Sequence, residues 1–443
     1  MKIIIKIRKF TNKQIVDIRT YGIKELFRKF YLLIKILIRI PIDIIAIVPC
    51  VIIRLLSPWI IIRIQRLPVV HFGNFIEYTA TYYCKKKLKI DQLTKKSLDL
   101  VYIHNKDKVY NRQLKKMWKR KLNFLSGYLL DPISRVNKLI PGWKNHTIKS
   151  LQVRERDINN LFDKCQILDF TNEEEICGEK ILSEFGLKNK DKFVMLNVRD
   201  GAYQLKKIST RYRDWSYQDF RHTDIDKFVL ASEELAKRGY FVFRMGAVVE
   251  KPFNLKNPKI IDYANSNLRS DFMDIYLGAK CNFCISTGSG FQCLPALFRK
   301  PIIDLSVPLG DKMTHSEKYL LMIKHHFLKK EKRRLSLSEI FSYGVAYAFE
   351  TKTFEQKGIE LVENTSEEIK DLVIEMVEKL EYKKKLDPED EELQKKFRNL
   401  YASNIKSYDY QQVSKNLKDS IIHGQIRSSF GTKFLKKNRD WLK

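Results

Sequence analysis

The most apolar part of this chain has no charge-free run long enough to cross a membrane. From Tyr31 to Ile64 it reads YLLIKILIRIPIDIIAIVPCVIIRLLSPWIIIRI, and its longest charge-free run, Ile44 to Ile53, is ten residues. A spanning helix needs about 20. A secretory signal is not expected either, because the polar lead-in is too long and no small-residue cleavage site follows. Cysteine is sparse, seven in 443 residues, odd in number and unevenly spaced. Cys281 and Cys284 make a CxxC inside a strand-like apolar run, with no second pair at zinc spacing. The thiols therefore read as buried groups in a reducing cytosol rather than as disulfides or metal ligands. No helix-turn-helix, zinc or RNA-binding motif stands out, so no nucleic-acid partner is expected. No repeat of solenoid period is present.

Negative charge is the other shortage. Asp and Glu number 52 against 83 Lys and Arg, a net +31. Such an excess asks for an anionic partner: a membrane surface, a nucleic acid or an anionic substrate. It is concentrated at the start. Residues 1–66 hold 14 Lys or Arg against Asp17, Glu25 and Asp43, a net +11. At 100° per residue Lys35, Arg39, Asp43 and Arg54 share an arc of about 100°, with Ile, Leu and Val opposite. Pro41, Pro49 and Pro58 divide the stretch into short pieces. Residues 1–66 thus read as a basic amphipathic arm lying on an anionic membrane surface. The competing reading is a core-packed arm or a subunit contact.

A hydrophobic fraction of 44% supports real cores, and 443 residues leave room for two or three domains. After the arm the pattern alternates between strand and helix. LPVVHFGNF predicts a strand and a turn at Gly73, then a helix over 76–87. SLDLVYI predicts a second strand. The series continues with strands at KFVMLNV, YFVFRMG, KIIDYA, NFCIS, PIIDLSV and GIELVENT. Helices lie between them, opened by capping boxes at Thr171/Glu174 and Thr365/Glu368 and by a cap at Ser270 or Asp271. This alternation predicts an α/β fold with parallel sheets, in two Rossmann-like domains. One covers 67–186, the acceptor side, and one 187–380, the donor side. A charged helical tail follows over 381–443.

In such sheets ligands bind beyond the carboxyl ends of the strands. The residues following the strands of the second series are Arg199, Asp200, Gly201 and Tyr203; Gly246 and Glu250; Asn265, Arg269 and Asp271; and Thr287, Gly288, Ser289 and Gly290. Arginine forks match phosphate oxygens, and small residues let backbone N–H groups approach an anion. CISTGSGFQ (284–292) therefore reads either as a tight strand-to-helix turn or as a phosphate cradle. DID (224–226) has the spacing of metal-binding carboxylates but is read as a helix N-cap and first turn.

The segments FVMLNVRD, GYFVFRMG, IIDYANSNLRSDFMDIYLGAKCNFCISTGSGFQ and IELVENTSEEI resemble a family of bacterial glycosyltransferases associated with surface-polysaccharide loci. The likeness covers roughly residues 67–380. The run 260–292 is similar, more distantly, to the α-1,6-fucosyltransferase type. Asn197 departs from that type, which has His at this position. The resemblance implies a GT-B-like fold and a nucleotide-sugar donor, moved to a glycan or lipid-linked acceptor. It implies Arg199 at the donor diphosphate and Arg269, Asp274 and Ser289 at the nucleotide, and it favours the phosphate-cradle reading of 284–292. The strand-end reading adds Gly246, Asp271, Thr287, Gly288, Gly290 and Gln292 to the donor side. The HFGNF turn, His71, Gly73 and Asn74, would face the acceptor. Asp200 is the first candidate for a catalytic base and Glu250 the second. No metal or other cofactor is expected, and the enzyme would sit peripherally at the inner face of the membrane. The alternatives are another nucleotide-sugar enzyme, such as an epimerase, and a non-catalytic basic scaffold.

Overall fold

The computed structural model describes residues 22–90, 95–148, 157, 160–208, 215–382, 386–407 and 425–443. The first 21 residues of the basic arm lie outside this set. The chain divides into two compact units and passes between them several times.

The first unit comprises Met1–Arg66, Leu93–Lys106 and Asn123–Ile148. Strand β1 (Ile61–Arg66) pairs in parallel with β2 (Ser97–Tyr102). The sequence pattern placed the first strand at residues 67–75, one segment too late. IIRIQR alternates apolar with basic side chains and so reads as part of the arm. Its register puts Arg63 opposite Asp99, and the Arg63 guanidinium meets that buried carboxylate at 2.6 Å. Two helices, Ile23–Ile45 and Ile47–Leu55, precede β1, and Gly127–Asn137 follows β2. Their shared core holds Ala46, Cys50, Ile53, Ile64, Tyr102, Leu130, Ile133 and Val136.

The second unit comprises Leu67–Gln92, Asp107–Leu122 and Lys149–Lys443. Its centre is a parallel sheet built from β3 (Phe193–Asn197), β4 (Phe241–Arg244), β5 (Ile260–Ile261), β6 (Phe283–Ser286), β7 (Ile302–Asp304) and β8 (Tyr319–Leu321). A small antiparallel sheet of β9 (His325–Leu328), β10 (Arg333–Arg334) and β11 (Ile359–Val362) stands beside it, and β12 (Ser429–Phe430) adds to the main sheet's far edge. The main order is β12-β8-β7-β6-β3-β4-β5. Without β12 the order of formation is 3-2-1-4-5-6, the doubly wound arrangement that reverses direction between β3 and β6. Every residue of β3, β4, β6 and β7 is buried, as strands covered on both faces must be. Helix ends follow local chemistry. Thr171 and Thr365 both form capping boxes, Ser270 caps Asp271–Lys280, and Gly186 and Gly239 turn the chain at φ 87° and 90°.

His326 on β9 is buried, with Nδ1 3.0 Å from the Lys324 carbonyl, and burial holds its pKa down to about 4. His325, on the same strand, also disfavours its charge. The unfolded chain therefore takes up this proton first as pH falls below about 6.5. Stability contributed by neutral His326 is complete above that value and is lost on the way down to pH 4. His326→Gln should flatten the decline between pH 6.5 and 4 by up to about 3 kcal/mol in urea titrations. Parallel curves for the two proteins would contradict this.

Candidate functional site

The sheet reverses direction between β3 and β6, and the loops leaving their carboxyl ends are tied together. Thr287 N–H donates to the Asn197 carbonyl at 3.1 Å, continuing the ladder by one bond. Arg199 N–H donates to Thr287 Oγ1 at 2.7 Å. Ser289 Oγ accepts from Phe291 N–H at 3.1 Å, capping the turn Gly290–Gln292, and donates to Asn197 Oδ1. Asn197 thus braces the neighbouring loop.

Outside these strand ends lies a cleft of about 1340 Å³ within the second unit. His71, Gly73, Asn74, Arg199, Asp200, Gly246, Ser289 and Gly290 all line it. The structure thus brings together, on one cavity, residues read from sequence as donor side and as acceptor side. The other candidates lie elsewhere. Arg269 and Asp274 form an ion pair at 2.7 Å, and burial pushes the Asp274 carboxyl up to about 6 against the pull of Arg269. Asp271 accepts from Arg112 N–H at 2.7 Å through its carboxylate and from the Asn111 amide through its carbonyl. It thereby anchors the helix Arg112–Lys119. Thr287, Gly288 and Gln292 are buried and are not among the lining residues.

Three glycines of the site have close neighbours. Gly288 has φ 91°, and a Cβ on it would stand 2.3 Å from Ser306 Cβ. A Cβ on Gly73 would stand 2.8 Å from Gly290 Cα, and one on Gly290 2.9 Å from Gly73 N. The start of the helix Phe72–Lys87 therefore crosses the Ser289–Gly290 loop backbone to backbone. CISTGSGFQ is a tight strand-to-helix turn by this geometry, and its last two small residues, Ser289 and Gly290, also face the cavity.

Two carboxylates line the cleft, Asp200 and Glu350. Asp200 Oδ1 accepts from Ala202 N–H at 3.0 Å and Oδ2 from Glu250 N–H at 2.8 Å, so both oxygens brace loops. Glu250 itself is exposed and lines a separate hollow of about 220 Å³ with His222, Asp224 and Lys251. Asp224 caps its turn by accepting from Asp226 N–H at 3.2 Å. The Lys251 ammonium bridges Asp224 and Asp226 at 2.9 and 3.1 Å, which lowers the Asp224 pKa.

Sequence reasoning missed part of this cavity. Arg221 lines it and donates to the Gly288 carbonyl at 2.5 Å. Gln218 Oε1 accepts from both Arg199 and Gln204. Trp215 and Tyr217 stack with ring centroids 5.9 Å apart, and Tyr110 meets Tyr203 at 5.7 Å. Tyr343, Gly344, Tyr347 to Glu350, Thr353 and Lys357 complete the wall. The visible signal was the interleaving of Arg and aromatic residues in DWSYQDFR (214–221), which follows no strand directly.

No protein-family model matches this chain, and no curated protein does. Two solved structures are similar over 59% of it. One is a family 9 glycosyl transferase from Veillonella parvula DSM 2008, at 12% identity, TM-score 0.35, with 85% of that chain covered. The other is the ADP-heptose LPS heptosyltransferase II of E. coli, at 13% identity, TM-score 0.30, with 90% of that chain covered. Likeness at this distance assigns neither donor nor acceptor.

Proposed function

We propose that this protein is a glycosyltransferase. It would bind a nucleotide-sugar in the cleft and pass a hexosyl or fucosyl unit to a glycan or lipid-linked acceptor, in the synthesis of a cell-surface polysaccharide at the inner face of the membrane. One observation carries the reading: a large cavity at the reversal point of a doubly wound sheet, with Arg199, Arg221 and the Ser289–Gly290 backbone on its walls. In the reaction an acceptor hydroxyl oxygen attacks the anomeric carbon, and the bond from that carbon to the diphosphate breaks. Arg199, Arg221 and Lys357 would meet the charge that grows on the departing diphosphate. Stacked rings such as Trp215 and Tyr217 suit a base or a sugar face. In an inverting enzyme a carboxylate takes the hydroxyl proton. Asp200 is one candidate. Glu350 is the other, and it makes no side-chain cap bond to the helix that follows it.

No metal is needed on this reading, and Asp224 and Asp226, the pair read at metal-like spacing, already hold the Lys251 ammonium. A thermal-shift panel of UDP-, GDP- and CDP-sugars tests the proposal. One nucleotide should raise the melting temperature, and transfer should persist in EDTA. Asp224→Asn should retain most activity, because Asn caps about as well as Asp. No shift with any nucleotide-sugar counts against the transferase. Loss of activity in EDTA and in Asp224→Asn, reversed by manganese, would overturn the metal-free mechanism.

A further inference from the structure

The helix Ile23–Ile45 is amphipathic, and its apolar side is the exposed one. At 100° per residue Phe27, Phe30, Ile34, Leu37 and Ile38 fall within an arc of about 100°. Their exposures run from 38% to 67%. The polar positions lie opposite. Glu25 is buried at 3%, and Asp43 is paired at 2.6 Å with Arg135 of the helix Gly127–Asn137. The next helix, Ile47–Leu55, repeats the pattern. Val48, Val51, Ile52 and Leu55 form one stripe, each at least 46% exposed, while Cys50 and Ile53 face the core opposite. Trp59 follows at 73% exposure. In a helix folded against its own domain the apolar stripe faces the core; here both helices present theirs outward.

We infer that this double stripe docks on the surface of an anionic lipid bilayer, with its apolar side chains at the headgroup–acyl boundary. Among the described residues no helix is long and apolar enough to cross a bilayer, so the docking inferred is at the surface. Two observations select lipid over the other occupants. The segment 1–66 carries a net +11, which attracts anionic headgroups and opposes a second copy of the same face. A large exposed indole at the end of the apolar surface suits the interfacial zone, where such rings concentrate. Docking of this kind does not depend on which sugar is moved.

The test uses the full chain with sedimenting vesicles of phosphatidylcholine, with or without phosphatidylglycerol. The protein should bind the anionic vesicles, weaken in high salt and bind the neutral ones poorly. The combined change Phe27→Asp, Ile34→Asp, Ile38→Asp should reduce binding about 100-fold or more, since burial of those side chains drives insertion. Its thermal shift with nucleotide-sugar should be unchanged, which separates failed docking from a failed transferase reading. Brominated lipid should quench wild-type fluorescence through Trp59, and Trp59→Phe should remove that quenching. This second measurement stands even if the triple variant does not fold. Equal binding by wild type and the triple variant, or no binding to either vesicle, overturns the inference. A wild-type dimer in light scattering that becomes a monomer in the triple variant would instead assign the stripe to a second copy of this chain.

Discussion

Gly288→Ala is expected to lower the unfolding free energy by about 3 kcal/mol and to weaken nucleotide-sugar binding along with it. Two costs add. The left-handed backbone at φ 91° costs an alanine roughly 1–2 kcal/mol that glycine does not incur. The new methyl group then stands 2.3 Å from Ser306 Cβ in a buried, filled site, and overpacking of that kind costs about 1–3 kcal/mol. The two contributions separate by a second substitution. Ser306→Gly removes the colliding Cβ, so the double variant should recover the steric part and retain the backbone part. Urea midpoints of the four proteins measure both. An alanine variant as stable as wild type would mean that the turn relaxes freely around the new methyl group. Binding should follow stability because the Gly288 carbonyl is where Arg221 attaches, so a displaced loop moves that guanidinium away from the cleft.

Arg199→Ala should weaken nucleotide-sugar affinity by about 10- to 100-fold with little loss of stability, the range expected for one charge-assisted hydrogen bond of roughly 1.5–3 kcal/mol. Its guanidinium already meets Gln218 Oε1, so a purely structural role would show as a lower melting temperature with unchanged affinity. Ser289 supplies a paired control. Ser289→Ala removes the cap on Phe291 N–H and should cost about 1 kcal/mol of stability with little change in affinity. Ser289→Trp fills the cavity beside Gly290 and should abolish binding measurable by calorimetry. If both folded variants, Arg199→Ala and Ser289→Trp, bind nucleotide-sugar like wild type, the donor does not occupy this cleft.

Local signals carried the buried strands of the second unit, because parallel strands covered on both faces are short continuous apolar runs bounded by turn residues. KFVMLNV, YFVFRMG, NFCIS and PIIDLSV all became strands of the main sheet. Capping boxes at Thr171 and Thr365 were equally legible, since each is satisfied within four residues of chain. The strand-end rule also found Arg199, Asp200, Gly246, Ser289 and Gly290, all of which line the cleft.

What lay beyond the sequence depends on partners distant in the chain. β1 hides among basic residues because its charge is answered by Asp99, 36 positions on. β8 and β12, paired at one edge of the main sheet, were not read from sequence, and β12 is placed only by its pairing with β8 about a hundred positions earlier. GIELVENT reads like another member of the parallel series, yet β11 runs antiparallel to β9 in a separate sheet, since pairing direction is not written in side-chain alternation. Arg269 follows a strand as the cleft residues do, but it pairs with Asp274 in the first turn of the next helix. The amphipathic arm shows the limit most clearly. Its composition determined that one face is apolar and the other charged. Only the tertiary structure decided which face turns outward, because Asp43 meets Arg135 and Cys50 and Ile53 enter the core, leaving Phe27, Ile38 and Val48 to the outside.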